Sequence, residues 1–187
     1  MRKQNGIALQ TILTNHSRGG KDFADDPYSA CIIDYYSQSE RHMTEEDDLL
    51  FISETNTVSG LSFVFEDDGD TGWLYLLEWE SQMPTGDCWV YNRIPPIPVE
   101  AVSDYPNRGM APPVAEGYAG DQAVIIDPVQ DDFQWKWSAD GKSIVLFRLS
   151  SPLCCIVSGN KRGYSKLLLH EGPWGNPWDQ AIYDATF

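Results

Sequence analysis

Leu61 to Trp79 reads LSFVFEDDGDTGWLYLLEW, and the fold class turns on how this stretch is read. Leu61, Phe63 and Phe65 alternate with Ser62, Val64 and Glu66, the period of a half-buried strand. Trp73 to Leu77 is an unbroken apolar run rich in aromatics, short enough for a strand covered on both faces. Between them, Asp67-Asp68-Gly69-Asp70-Thr71-Gly72 supplies residues that tolerate positive φ and hydrogen-bond their own backbone. The stretch is predicted to be a β-hairpin with an acidic turn.

The same signals recur on both sides. Upstream, Leu49–Ser53 reads as a short strand leading into the hairpin, and Tyr28–Tyr36 (YSACIIDYY) has strand composition. Thr44, followed by Glu45, Glu46 and Asp47, suits one helical turn on a polar stretch. Downstream, Pro84 and Gly86 predict a turn over Glu80–Asp87, and Cys88–Asn92 (CWVYN) a short strand. Ile94–Gly120 carries Pro95, Pro96, Pro98, Pro106, Pro112 and Pro113, so a long loop is expected there, either functional or an inert insertion. Ile97, Val99, Val102, Tyr105 and Tyr118 are the side chains available to pin it to the surface. Ala123–Ile126 reads as a brief strand.

Two more hairpins follow. In Asp132–Leu149, Phe133, Trp135 and Trp137 share one face, and the turn Ser138–Lys142 leads back into SIVLFRL. Leu153–Leu169 is the third, turning over Ser158–Gly163. Trp178, Ile182 and Tyr183 line one side of a short C-terminal helix. The expected class is mainly β (α+β): a single globular domain over 1–187, built on antiparallel hairpins, with a Pro-rich insertion at about 94–120.

Composition narrows the function classes. The chain has 187 residues, 28 acidic against 13 basic, and a formal net charge of −15. Such a surface repels nucleic acid and anionic lipid, so neither is an expected partner. No apolar run reaches the roughly 20 residues of a membrane span. No small-residue cleavage site follows the start, and a cytosolic location is the simplest expectation. Cys31, Cys88, Cys154 and Cys155 form no CxxC pair and are expected to be free thiols in a reduced compartment. Cys154 and Cys155, adjacent on a strand, point to opposite faces and should not bond to each other.

Reactive constellations are sparse. His16, His42 and His170 have no metal-ligand spacing, and there is no G-x-S-x-G elbow or phosphate-cradling glycine loop. No catalytic residue, cofactor or metal is assigned. Paired carboxylates leave a carboxylate-dependent hydrolase as one alternative. Seven tryptophans leave a carbohydrate-binding module as another, though core packing of the Phe133-Trp135-Trp137 stripe is the simpler account.

The charge itself is the sharper feature. Between His42 and Asn92 there is no Lys or Arg, while Glu45, Glu46, Asp47, Asp48, Glu54, Glu66, Asp67, Asp68, Asp70, Glu78, Glu80 and Asp87 all fall there. That asymmetry suits contact with a cation-rich protein surface. Glu45, Glu46, Asp47 and Asp48 are the first candidates for partner binding, with Asp67, Asp68 and Asp70 next. For the turn, self-capping by its Asp side chains is the plainer reading, and an EF-hand calcium loop fails on spacing.

FVFEDDGDTGWLYLLE (Phe63–Glu78), CWVYN, WSADGKSIVLF (Trp137–Phe147) and KRGYSK (Lys161–Lys166) together resemble an uncharacterised family of small acidic bacterial proteins. Members of that family look like V-F-E-D-D-G-x-T-G-Y-F-Y-A, a short I-Y-N strand, W-S-x-D-G-x-x-x-x-L and a late R-G-Y-C-R. The likeness spans about Gly60 to Lys166. Trp73 stands where Tyr is usual, Ser165 where Cys is usual, and Ile94–Gly120 looks like an insertion. Similar proteins accompany bacterial polymorphic toxins as immunity proteins. The resemblance therefore implies a toxin-neutralising protein, and the acidic, cation-free segment adds the expectation that its cognate toxin has a basic active-site cleft.

Overall fold

The computed structural model describes residues 49–78 and 83–187. Two sheets dominate them. Sheet one is an antiparallel meander of β1 (Leu50–Thr55), β2 (Leu61–Asp67), β3 (Thr71–Glu78) and β4 (Pro84–Asn92). Sheet two runs in the order β5 (Phe133–Trp137), β6 (Ile144–Arg148), β7 (Ser151–Ile156), β8 (Tyr164–Ser165) and β9 (Asn176–Pro177). Its pairs are antiparallel except β8–β9, which is parallel. The mainly β class and all three expected hairpins are present.

Strand alternation sorts the side chains into two cores. Phe63, Phe65, Leu74, Leu76, Cys88 and Val90 face sheet two, where they meet Phe133, Ile144, Leu146, Cys154 and Ile156. Trp135 and Trp137 lie edge-on or tilted to Phe63, with ring centroids 5.3 and 5.8 Å away. These two tryptophans are therefore packing residues and not a free aromatic platform. The intervening residues Val64, Trp73, Tyr75, Leu77 and Trp89 point the other way, into a second core.

That second core is closed by the Pro-rich segment. Ile97, Val102, Tyr105, Val114 and Ala115 cover the far face of sheet one, joined by Leu168 and Trp174. Residues 94–120 are thus a third layer without strands, held by a short helix α1 (Asp104–Asn107), a 3-10 turn at Val99–Ala101 and an Ile97↔Ala115 bridge. Val99, one of the expected pins, is instead exposed. Because sheet one is covered on both faces, β3 and β4 have no polar face to show in their sequences.

Two expectations are corrected. The turn predicted over Glu80–Asp87 ends earlier, because β4 already begins at Pro84. Proline is tolerated as a strand's first residue, and Thr85 is the extra residue of a bulge between Leu77↔Pro84 and Leu76↔Gly86. The strand predicted at Ala123–Ile126 is a 3-10 turn, Asp121–Ala123, followed by a single bridge from Val124 to Asn92.

The outer edge of β4 is sealed by other parts of the chain. Asp87 N–H donates to Lys161 O (3.1 Å), Gly163 N–H to Asp87 O (2.7 Å), Trp89 N–H to Trp174 O (2.9 Å) and Ile125 N–H to Asn92 O (2.8 Å). These bonds consume the row of backbone groups that would otherwise template pairing with another chain. Arg162 adds a forked contact to Asp87, with Nη1 2.6 Å from both carboxylate oxygens. The C-terminal helix α2 (Gln180–Thr186) starts where the Asp179 side chain accepts from Ile182 N–H at 3.0 Å. Trp178 and Tyr183 meet there at a tilt, centroids 5.0 Å apart.

Candidate functional site

The acidic turn lies where β2 hands over to β3, and its first residue is not exposed. Asp67 is 2 % exposed. Its Oδ1 accepts from Gly69 N–H (2.9 Å), and its Oδ2 accepts from Tyr91 O–H (2.5 Å) and Arg93 Nε (2.8 Å). Arg93 also ties back through its own N–H to Asp70 O, at 2.7 Å. A buried carboxylate with a guanidinium and a phenol on it is a clasp between β2 and the end of β4.

A bulge brings Tyr91 into reach. Gly72 pairs with Tyr91 but Trp73 pairs with Trp89, so Val90 is the extra residue and Val90 and Tyr91 both turn toward sheet two. The Tyr91 ring then crosses over Gly72. A Cβ at Gly72 would sit 2.9 Å from Tyr91 Cζ and 3.2 Å from Phe65 Cε2, so glycine is required by close approach. Burial and the neighbouring Asp67 carboxylate push the Tyr91 phenol above its ordinary range, so it stays a proton donor.

Asp68 turns the chain. Its Oδ1 accepts from Asp70 N–H and Thr71 N–H, both at 3.0 Å, while Gly69 takes φ +95° between them. Burial pushes the Asp68 carboxyl up to about 6, outweighing those two backbone donors. Asp70 is half-buried, its Oδ2 3.4 Å from the Tyr105 hydroxyl, and the Arg108 guanidinium lies over the Tyr105 ring at 4.9 Å. The turn thereby touches the third layer.

Beside the clasp, Asn92 is fully buried and holds that layer. Its Oδ1 accepts from Val114 N–H (2.8 Å) and Trp89 Nε1 (2.9 Å), and its Nδ2 donates to Val114 O (3.3 Å). Indole N–H groups of Trp73 and Trp174 donate to the Pro112 carbonyl, both at 3.3 Å, and Trp174 also to Pro113 O at 3.0 Å. Carbonyls that proline leaves without a ladder are thereby used.

Of the residues expected to meet a partner, Asp67, Asp68 and Asp70 are brought together, and the structure commits Asp67 inward. Its side chain has no exposed surface to offer a partner. Glu45, Glu46, Asp47 and Asp48 lie outside the described residues, as does Cys31. The hydrolase alternative asked for paired carboxylates with one raised pKa. Asp67 and Asp68 supply the pair; both Asp67 oxygens are taken by Gly69 N–H, Tyr91 and Arg93, and Asp68 Oδ1 by Asp70 and Thr71 N–H. Among the described residues no group of three or more His, Cys, Asp or Glu side chains is placed to hold a metal ion. Tyr91, Arg93 and Asn92 were not singled out from the sequence, and Tyr105 was expected only to pin the Pro-rich segment to the surface. The one available signal was that Arg93 is the first basic residue after His42.

Exposed carboxylates are frequent in the segment that follows. In 94–132, Glu100, Asp104, Glu116, Asp121, Asp127 and Asp131 are exposed and Asp132 half-buried, against the single basic residue Arg108. No family model, curated protein or solved structure matches the chain.

Proposed function

We propose that the protein is an immunity-type inhibitor that acts in the cytoplasm, binding and neutralising a cognate bacterial toxin through an acidic surface. The observation that carries this reading is the distribution of charge. Twenty-eight acidic residues face 13 basic ones, and between His42 and Asp132 the only cations besides histidine are Arg93, clasped to Asp67, and Arg108, laid on Tyr105. Toxins that act on nucleic acid or nucleotides need cationic clefts, and an anionic protein surface can occupy such a cleft in place of phosphates. The resemblance of Gly60–Lys166 to small acidic bacterial proteins of the immunity kind points the same way. Glu45, Glu46, Asp47 and Asp48 are the proposed first contacts. Asp70 and the exposed carboxylates of the third layer are proposed as further contacts, and Asp67 acts only from within.

The test is co-expression with the product of the adjoining gene. Growth arrest by that product alone, relieved by this protein, supports the reading; arrest that persists although both proteins are soluble overturns it. In the purified pair, changing Glu45 and Glu46 to Gln and Asp47 and Asp48 to Asn should slow association several-fold at low salt. It should leave the fold intact, since exposed charges add little stability. An unchanged rate would remove that segment from the contact.

A further inference from the structure

We propose that, given a toxin inhibitor of the kind inferred above, the toxin docks on one end of the sandwich, where Leu49, Ile126, Val129 and Leu149 stand exposed among carboxylates. The partner surface that fits is an apolar centre with lysines and arginines around it.

Register brings these residues to the same end. In sheet one, β1 starts, β2 ends, β3 starts and β4 ends there. In sheet two, the row is Phe133, Arg148 and Ser151. Phe133 meets Phe65 and Tyr91, near the ends of β2 and β4, with ring centroids 4.8 and 6.0 Å away, so the two rows lie together. Leu49 reaches the acidic turn: a Cβ at Gly69 would sit 3.6 Å from its Cδ2. Ile125 N–H donates to Asn92 O at 2.8 Å, and Leu149 N–H donates to Asp132 O at 2.9 Å. Residues 126–131 run between those two anchor points, and the 3-10 turn Gln130–Asp132 also touches β1.

Leu49, Ile126, Val129 and Leu149 are 54, 75, 56 and 65 % exposed. Scattered apolar side chains on a surface are ordinary. Backbone conformation sets this group apart. Among the described residues, positive φ outside glycine occurs at Asp127 (48°), Leu149 (48°) and Ser150 (66°), all at this end. Leu149 and Ser150 form the two-residue turn between β6 and β7, with positive φ at both positions. Asn-Gly is the favoured pair for such a turn. Leucine is disfavoured, because its Cβ crowds its own carbonyl in this conformation. The hairpin therefore holds a leucine in a strained backbone with its side chain in water, where a small polar residue would fit better on both counts. Strain of this kind gathers at sites that bind.

Charge selects the class of partner. Asp127 and Asp131 are exposed on the same segments, and Asp68, Asp70 and Asp132 are half-buried. Arg93 and Arg148 each lie on a carboxylate, Asp67 at 2.8 Å and Asp132 at 3.1 Å. Carboxylates beside the apolar groups repel nucleic acid and anionic lipid and attract a cationic protein rim. The apolar side chains then supply the desolvated contact that slows dissociation.

The experiment uses the product of the adjoining gene, by co-expression and by binding kinetics with the purified pair. Leu149→Asn with Ser150→Gly removes the apolar side chain and installs the favoured turn. This variant should melt higher than wild type and yet bind about tenfold more weakly, chiefly through faster dissociation. Ile126→Ser with Val129→Ser should weaken binding on the same scale. Val58→Ser, at the β1–β2 turn on the opposite end, should leave it unchanged. Wild type that fails to relieve the arrest removes the inhibitor reading and this docking site with it. Wild type that protects, with both double variants binding as tightly as it does, overturns the docking site alone. So does a free wild-type chain that sediments as a dimer and becomes monomeric on Leu149→Asn with Ser150→Gly, since the face then belongs to a second copy.

Discussion

At the scale of single residues, Asp67 decides more than its neighbours in the turn. With Arg93 only 16 % exposed and the Tyr91 hydroxyl buried, removing the carboxylate takes away the charge that both of them face. Asp67→Asn should therefore lower the unfolding free energy by about 3 kcal/mol, the scale for breaking a mostly buried pair by removing one partner. Urea denaturation measures it, and a loss below ~0.5 kcal/mol would mean the clasp is ornamental. Asp68 makes the opposite kind of contribution. Its folded pKa, about 6, lies above the ordinary 3.8, so the folded state holds the proton more tightly than the unfolded chain. That stability is full below about 4, is lost as pH rises toward 6, and is absent above. Asp68→Asn keeps the oxygen that accepts from Asp70 and Thr71 N–H but does not titrate. Relative to wild type, the variant should gain stability as pH rises from 4 to 6, read from melting curves at each pH. The acidic turn was legible from Asp-Asp-Gly-Asp; the burial of Asp67 was not. Its partners lie 24 and 26 positions away, and the bulge that rotates Tyr91 toward it leaves no mark in local alternation.

At the scale of elements, alternation located the three hairpins because each has a face that stays dry. It failed at β4 for an identifiable reason. Gly86 looks like turn chemistry, but in the fold a Cβ there would meet Ile156 Cγ2 at 2.7 Å and Asn160 O at 2.9 Å. It marks close approach between the sheets and not a change of direction. Similarly, proline density in 94–120 correctly excluded strands yet hid the layer's role, since its anchors are carbonyls and scattered apolar side chains with no period. Asn92 is the hinge pin of that layer. Asn92→Ala would leave Val114 N–H without its side-chain acceptor in a dry site and the Trp89 indole with Thr71 Oγ1 alone, at a cost of roughly 2 kcal/mol. Limited proteolysis should then cut within 94–120 faster than in wild type; an unchanged cleavage rate with unchanged stability would show that packing alone holds the layer.

At the scale of the whole molecule, a net charge of −15 means that folding gathers like charges. Screening relieves that repulsion, so raising NaCl from about 10 mM to about 0.5 M should raise the melting temperature. A fall on adding salt would place the balance with internal pairs such as Asp87–Arg162. The layered arrangement has a further consequence, for the chain as it emerges during synthesis. Sheet one is complete once Asn92 has been made, but the cover for its far face comes from residues 97–115, and then from Leu168 and Trp174 near the other end. Until those arrive, Trp73, Tyr75, Leu77 and Trp89 form a greasy plate open to water, and β4 has a bare rim. A nascent chain paused at this point, or a fragment cut after Arg93, carries the best-formed part of the protein in its stickiest condition. The Pro-rich middle of the sequence, finished by two side chains near the other end, is what makes the first sheet safe to display in a crowded cell.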